Sequence, residues 1–145
     1  MDEERKRFVE EFATLWSGFG LPRMQGKVMG ALLVSDPSEK TAEELMETLQ
    51  ASRGSISQAT RSLVQMGLVE RRARIDDRRD YFRTRTDWAD LLRQQISIYS
   101  AFKEIAERGL EIMATSSPES RRDLEEMRSL YAYLEREMPA FIGRW

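Results

Sequence analysis

Between Thr41 and Arg85 the chain carries helix starts, stops and strand-type runs in one fixed order, and few folds accept that order. Thr41 with Glu44 forms a T-x-x-E capping box, in which the hydroxyl and the carboxylate satisfy amide protons at a helix start. The short helix it opens places Leu45, Met46 and Leu49 inside. A three-residue turn follows, and Ser52 stands where the cap of a second helix belongs. Ile56, Thr60 and Leu63, with Ala59 beside them, line one face of that helix, and Gly67 occupies the C-terminal cap position. Residues 68–74 and 80–86 then read as strands, with Ile75-Asp76-Asp77-Arg78-Arg79 as a polar hairpin tip. Brace helix, turn, capped helix and hairpin together describe a winged helix-turn-helix, a design that places its second helix in the major groove of DNA.

The flanks read as helices. Phe8, Phe12, Leu15, Trp16 and Phe19 recur at helical spacing over residues 3–18, and Gly18-Phe19-Gly20 ends that segment. Pro22 suits the first turn of a helix whose apolar face holds Met24, Val28, Ala31 and Leu32. Gly26 and Gly30, four apart on it, permit a close helix contact. Asp87 caps a long helix from Trp88 through Ile112, and Ser117-Pro118 starts the last one. The expected fold is mainly α with a small β-hairpin wing. It is one domain over 1–145, with a DNA-binding core at 20–86 and dimerisation helices at 1–19 and 87–145.

Composition narrows the chemistry. The 145 residues include no cysteine and no histidine, which excludes thiol sensing, Cys/His zinc sites and histidine-dependent triads. No phosphate loop, nucleophile elbow or paired-carboxylate motif is present, and the four lysines and scattered acids form no catalytic pattern. We therefore expect no enzyme, no cofactor and no metal site. The longest nearly apolar run, Val28 to Val34, is too short to span a bilayer, and the charged N-terminus leads into no signal core. A cytoplasmic protein is expected.

The formal charge of −2 conceals an asymmetry. From Ser52 to Thr86 there are nine arginines and four acids, a net +5, leaving −7 for the remainder. An acidic body with one arginine-rich segment is an electrostatic footprint for DNA, although a solvated arginine-rich surface has the same composition.

Stepping 100° per residue from Ile56 places Gly54, Gln58, Arg61 and Gln65 on the outer face of the second helix, flanked by Ser55, Ser57 and Ser62. Gln58 and Arg61 have side chains that read adenine and guanine edges. Ser52, Ser55 and Ser57 suit phosphate oxygens at the helix N-terminus, beside Arg53. Gly54 permits close approach of the backbone to DNA. In the hairpin, Arg72, Arg74, Arg78 and Arg79 are the DNA-binding candidates. Arg78 and Arg79 are the expected tip residues for the minor groove, and the nearby aspartates offer the alternative of ordinary ion pairs.

The stretch Thr41-Ala-Glu-Glu-Leu, the run Leu63-Val-Gln-Met-Gly-Leu-Val-Glu-Arg and Asp77-Arg-Arg-Asp-Tyr-Phe resemble the MarR superfamily over roughly residues 20–90. Gly30-Ala-Leu-Leu-Val-Ser-Asp-Pro, Ser52-Arg-Gly-Ser-Ile-Ser and Arg79-Asp-Tyr-Phe resemble its GbsR-like branch more narrowly. The resemblance implies a homodimeric transcriptional regulator on pseudo-palindromic double-stranded DNA, with repression as the expected sense, often relieved by a small-molecule effector. In the GbsR-like branch that effector class includes choline. The rival reading is a winged helix that docks a protein and binds no DNA.

Leu124, Met127, Tyr131, Leu134, Met138 and Phe141 step by 3, 4, 3, 4 and 3, which reads as a seam to a second copy. A helix packed inside its own chain shows the same stripe. Phe8 and Phe12 in the first helix are the other interface candidates.

Overall fold

The computed structural model describes residues 1–85 and 87–145. It comprises two compact units, Met1–Thr86 and Asp87–Trp145. The first contains α1 (Glu3–Gly18), α2 (Arg23–Leu33), β1 (Lys40–Thr41), α3 (Ala42–Leu49), α4 (Arg53–Gln65), β2 (Val69–Arg74) and β3 (Asp77–Thr84). The second contains α5 (Trp88–Gln94), α6 (Ile96–Ile112) and α7 (Pro118–Gly143). Among the described residues no helix is long and apolar enough to cross a membrane.

The caps read from the sequence are in place. Thr41 Oγ1 accepts from the Glu44 amide at 3.2 Å, Ser52 Oγ from Ser55 at 3.1 Å, Asp87 Oδ1 from Asp90 at 3.0 Å and Ser117 Oγ from Ser120 at 3.2 Å. Gly67 ends the α4 segment at φ +80°, a conformation that only glycine adopts without strain. The turn between α3 and α4 instead uses a non-glycine residue, Gln50, at φ 51°. Its own side chain helps close that turn by donating to the Glu47 carbonyl at 2.8 Å.

One core holds the first unit together. Val28, Met29 and Leu32 of α2, Leu45 of α3, and Ile56 and Leu63 of α4 are fully buried with Val9, Val69 and Phe82. Helix α1 joins this core and belongs to the first unit. A Cβ on Gly26 would lie 2.8 Å from the Ala13 Cα, and one on Gly30 would lie 3.2 Å from the Val9 Cα. The two glycines are therefore the seat of α1. Phe12, expected at a dimer interface, packs partly against this core, and Phe8 lies 6.0 Å from it, centroid to centroid.

The sheet differs from the expected hairpin. It has three strands in the order β1-β3-β2, all antiparallel, with Lys40 opposite Phe82 and Thr41 opposite Tyr81. A two-residue strand leaves no alternation to read, and Thr41 is hidden in it because a helix N-cap already has extended backbone. The hairpin tip also moves. β3 begins at Asp77 rather than Asp80, so the turn is Ile75-Asp76. Arg74 faces Asp77 and Ala73 faces Asp80, which leaves Arg78 and Arg79 as a bulge in β3 rather than residues of the tip. The last residue of the expected second strand, Thr86, lies outside the described residues.

In the second unit the expected single helix from Trp88 to Ile112 is interrupted at Gln95. There the Gln95 amide bonds Leu92 and the Ile98 amide bonds Gln95, both three residues back. The Ser97 hydroxyl donates to the Gln94 carbonyl at 3.2 Å, a local bond that competes with the helical ladder. Helices α6 and α7 then form an antiparallel hairpin. Leu124 lies against Gly109, Tyr131 stacks on Phe102 at 4.9 Å, and Lys103 pairs with Glu135 at 2.9 Å.

That hairpin changes the reading of the α7 stripe. Leu124, Met127, Tyr131, Leu134 and Met138 are half-buried, and Leu124 and Tyr131 meet α6 of their own chain. The 3-4 spacing reports an apolar partner without identifying which chain supplies it.

Gly26→Ala is expected to destabilise the protein by ~1–3 kcal/mol, because its methyl meets backbone that cannot swing aside. Gly30→Ala should cost clearly less, since its contacts are looser and alanine favours the helix by up to ~1 kcal/mol. Urea unfolding of both variants checks the order, and equal losses would mean that the α1–α2 contact does not depend on Gly26.

Candidate nucleic-acid interface

Helix α4 has one buried and one open face. Ile56, Ala59, Thr60 and Leu63 are buried, while Arg53, Gly54, Ser57, Gln58, Arg61 and Gln65 are exposed. The Thr60 hydroxyl, the one polar group on the inner face, donates to the Ile56 carbonyl at 2.8 Å and so needs no outside partner. At the N-terminus the Ser52 and Ser55 hydroxyls bond each other at 2.9 Å, and Ser55 is half-buried. On the open face Arg61 Nη2 donates to Ser57 Oγ at 3.2 Å, one turn back. Gly54 has nothing within 4 Å of where a Cβ would stand. The protein's own packing does not require glycine there.

The wing is a ladder of arginines, most of them holding a carboxylate. Arg71 pairs with Asp80 at 3.6 Å, Arg72 with Glu70 at 3.9 Å and Arg83 with Glu70 at 3.2 Å. Arg74 binds Glu39, and its guanidinium lies 3.8 Å over the Tyr81 ring. Arg78 has no ion pair among the described residues, and neither does Arg61. The Arg71 and Arg72 pairs are about half exposed and contribute only ~0–1 kcal/mol each.

The tightest group is Asp77, Arg79 and Tyr81. Arg79 donates through Nε and Nη2 to both Asp77 oxygens, at 3.0 and 2.8 Å, and its amide donates to Asp77 Oδ1 at 2.9 Å. The Tyr81 hydroxyl donates to Asp77 Oδ2 at 2.6 Å and accepts from Arg79 at 3.2 Å. Hydrogen bonds from Arg79 and then Tyr81 hold the Asp77 carboxyl well below the usual carboxylate range. The same contact raises the Tyr81 phenol above its ordinary value.

Of the residues named from the sequence, Arg53, Gly54, Ser57, Gln58 and Arg61 stand exposed on α4, with Ser52 at its cap and Ser55 half-buried beside it. Arg72 and Arg74 lie on β2, and Arg78 and Arg79 in the β3 bulge. The sequence reading missed Glu39, Glu43 and Tyr81. Glu43 Oε1 accepts from Arg53 at 3.3 Å, Glu39 anchors Arg74, and Tyr81 completes the Asp77 group. All three act across the fold, where local spacing gives no signal. Among the described residues no group of three potential metal ligands converges.

Asp77 has a depressed folded-state pKa, so the stability it contributes is present above the unfolded value of about 3.9 and is lost as pH falls through the folded one. The Arg79 Nε proton resonance is expected to persist from pH 7 down to about 3. Loss of that signal with a midpoint near 4 would show an unclamped carboxylate. In Asp77→Asn the Tyr81 phenol should titrate lower than in the wild type.

Comparison with known proteins agrees with this architecture. Residues 19–80 match the MarR family model, and residues 86–145 match the model of MmpR5-like MarR family transcriptional regulators. The HTH-type transcriptional regulator MmpR5 of Mycobacterium tuberculosis is 38% identical over 139 residues, 95% of this chain and 84% of that protein. A crystal structure of a transcriptional regulator with 37% identity superposes with a TM-score of 0.85, covering 97% of each chain. With the fold, the motifs and a full-length relative in agreement, the chain belongs to the MarR family of transcriptional regulators.

Proposed function

We propose that the chain binds duplex DNA sequence-specifically as a homodimer, reading a pseudo-palindromic operator and repressing transcription. The observation that carries the reading is the open face of α4, where Gly54, Ser57, Gln58 and Arg61 are exposed over a fully buried Ile56 and Leu63. Arg61 is the guanine-reading candidate, because among the described residues its guanidinium is bound by the Ser57 hydroxyl and no carboxylate holds it. The wing arginines supply the phosphate-facing charge. A protein-docking wing without DNA binding would leave this unneutralised face unexplained, and a gel shift on bulk genomic DNA at low and moderate salt separates the two.

Arg61→Ala is expected to weaken operator binding by ~1–3 kcal/mol and to relax preference at one base pair per half-site. Gly54→Ala should stabilise the free protein by up to ~1 kcal/mol yet weaken DNA binding, because the methyl stands where a phosphate or base edge approaches. An Arg61 variant that loses affinity equally on every sequence, with a salt slope shallower by about one, would make Arg61 a phosphate anchor instead.

For the dimer, the supporting feature is a second apolar stripe. Ile98, Ile105 and Ile112 recur at seven-residue spacing along α6, and all three are exposed in the single chain. Phe141 near the end of α7 is exposed as well, whereas Leu124 and Tyr131 already have partners within the chain. Ile105→Arg is therefore expected to give a folded monomer by sedimentation, since a two-fold interface would oppose two unpaired charges. An intact dimer would move the interface off α6.

The GbsR-like likeness is a finer assignment than the family and brings a choline-type effector with it. In the second unit an apolar pocket of about 390 Å³ is walled by Trp88, Leu92, Phe141 and Trp145. Arg144 also lines it, with its guanidinium 5.8 Å from the Phe141 ring centroid. That cation favours an apolar or anionic effector over a quaternary amine, a choice that tryptophan fluorescence titration decides.

A further inference from the structure

The cleft between α4 and the wing gathers more cations than the reading face of the helix. Arg53, Arg71, Arg78 and Arg79 line it, with the Ser57 and Thr60 side of α4 as one wall. Two of these guanidiniums are already held by carboxylates of the same cleft. Arg53 Nη1 lies 3.3 Å from Glu43 Oε1, and Arg71 Nε lies 3.6 Å from Asp80 Oδ2. Side chains in both pairs are about half exposed or more, so water reaches them and the pairs are weak. Arg78 has no ion pair among the described residues, and Arg79 is held by Asp77 outside the cleft lining.

A phosphodiester and a carboxylate present the same oxygens to a guanidinium fork, so the group that now satisfies each arginine is also a model of what can replace it. We propose that this cleft binds one backbone phosphate of duplex DNA through Arg53, Arg71 and Arg78, and that Glu43 and Asp80 occupy it in the free protein as internal competitors. The inference rests on the DNA-binding reading above and extends it to two acids with no role there, Glu43 and Asp80, and to the site they share with Arg53, Arg71 and Arg78. Glu43 remains ionised under ordinary conditions, because a backbone N–H and then Arg53 hold its carboxyl below the usual range. Entry of a phosphate requires both carboxylates to swing aside. The competition lowers affinity for every duplex alike, whatever its bases, and leaves discrimination to the face of α4.

The test uses the full chain and a fluorescent duplex of arbitrary sequence, with anisotropy followed at several salt concentrations. Glu43→Gln and Asp80→Asn are each expected to tighten binding, by roughly two- to fivefold, the range that one weak exposed pair allows. Glu104→Gln, which removes an exposed carboxylate of α6, controls for net charge and should leave affinity unchanged. Arg53→Ala and Arg71→Ala should each make the log–log salt slope shallower by about one. Each should also abolish the gain from its own partner's variant, so that Glu43→Gln no longer tightens binding in Arg53→Ala. Thermal unfolding of every variant confirms that the fold is retained. A gain that survives in the arginine variants, an equal gain from Glu104→Gln, or no gain from either acid overturns the competitor assignment while leaving DNA binding intact. Failure of the wild-type chain to bind any duplex overturns the DNA-binding reading itself, and this inference with it.

Discussion

Thr41 accepts the Glu44 amide proton at the start of α3 and pairs with Tyr81 in the sheet, and both roles use one extended backbone conformation. It is fully buried, so neither role can be passed to water. Its hydroxyl also donates to the Glu44 carboxylate at 3.2 Å, which holds that side chain over the helix start. Removing a threonine cap costs ~0.5–2 kcal/mol in general. Here the loss would also disturb the β1–β3 pairing in which Thr41 lies opposite Tyr81. The position of the wing follows from this residue. Beside β1, β3 turns Phe82 into the core and Tyr81 to the other face of the sheet, under Arg74. The Tyr81 hydroxyl then reaches Asp77, and Asp77 orients Arg79. A basic side chain of β3 is thus tied, through Tyr81 and Asp77, to a threonine of the adjacent strand.

The arginines of the first unit divide by what holds them. Arg79 is fixed by two side-chain bonds to one carboxylate with a phenol behind it, so its direction is set before any ligand arrives. Arg71, Arg72 and Arg53 are held by single long contacts that salt screens. Among the described residues Arg61 and Arg78 are held by no carboxylate. Side chains of one type thus grade from firmly oriented to unpaired within a single unit.

The parts of the fold that were legible in the sequence are those decided within about four residues. Thr41, Ser52, Asp87 and Ser117 cap their helices because a side-chain oxygen and an amide three positions on suffice to define the contact. The face of α4 was equally legible, since Ile56 and the 100° step determine which residues oppose it. What could not be read depends on partners far along the chain. β1 exists only because Phe82 and Tyr81 lie beside it. The tip of the wing fell at Ile75-Asp76 because the Asp77 carboxylate draws the Arg79 amide and guanidinium back into β3. Five charged residues in a row, 76–80, had no local signal for that. The interruption at Gln95 is similar in kind, since neither glycine nor proline marks it.

The α7 stripe shows the limit most clearly. A 3-4 repeat states that a helix has an apolar partner along its length, and any neighbour of the right shape satisfies it. In this chain α6 provides that neighbour: Gly109 admits Leu124, and Phe102 receives the Tyr131 ring. Because α6 uses one side for this hairpin, Ile98, Ile105 and Ile112, spaced seven residues apart, remain open to solvent. An exposed row of three large apolar side chains is costly to keep in water at ~25 cal/mol per Å². The internal assignment of the α7 seam thus leaves the uncovered apolar row on α6 rather than along the stripe where the sequence pattern placed it.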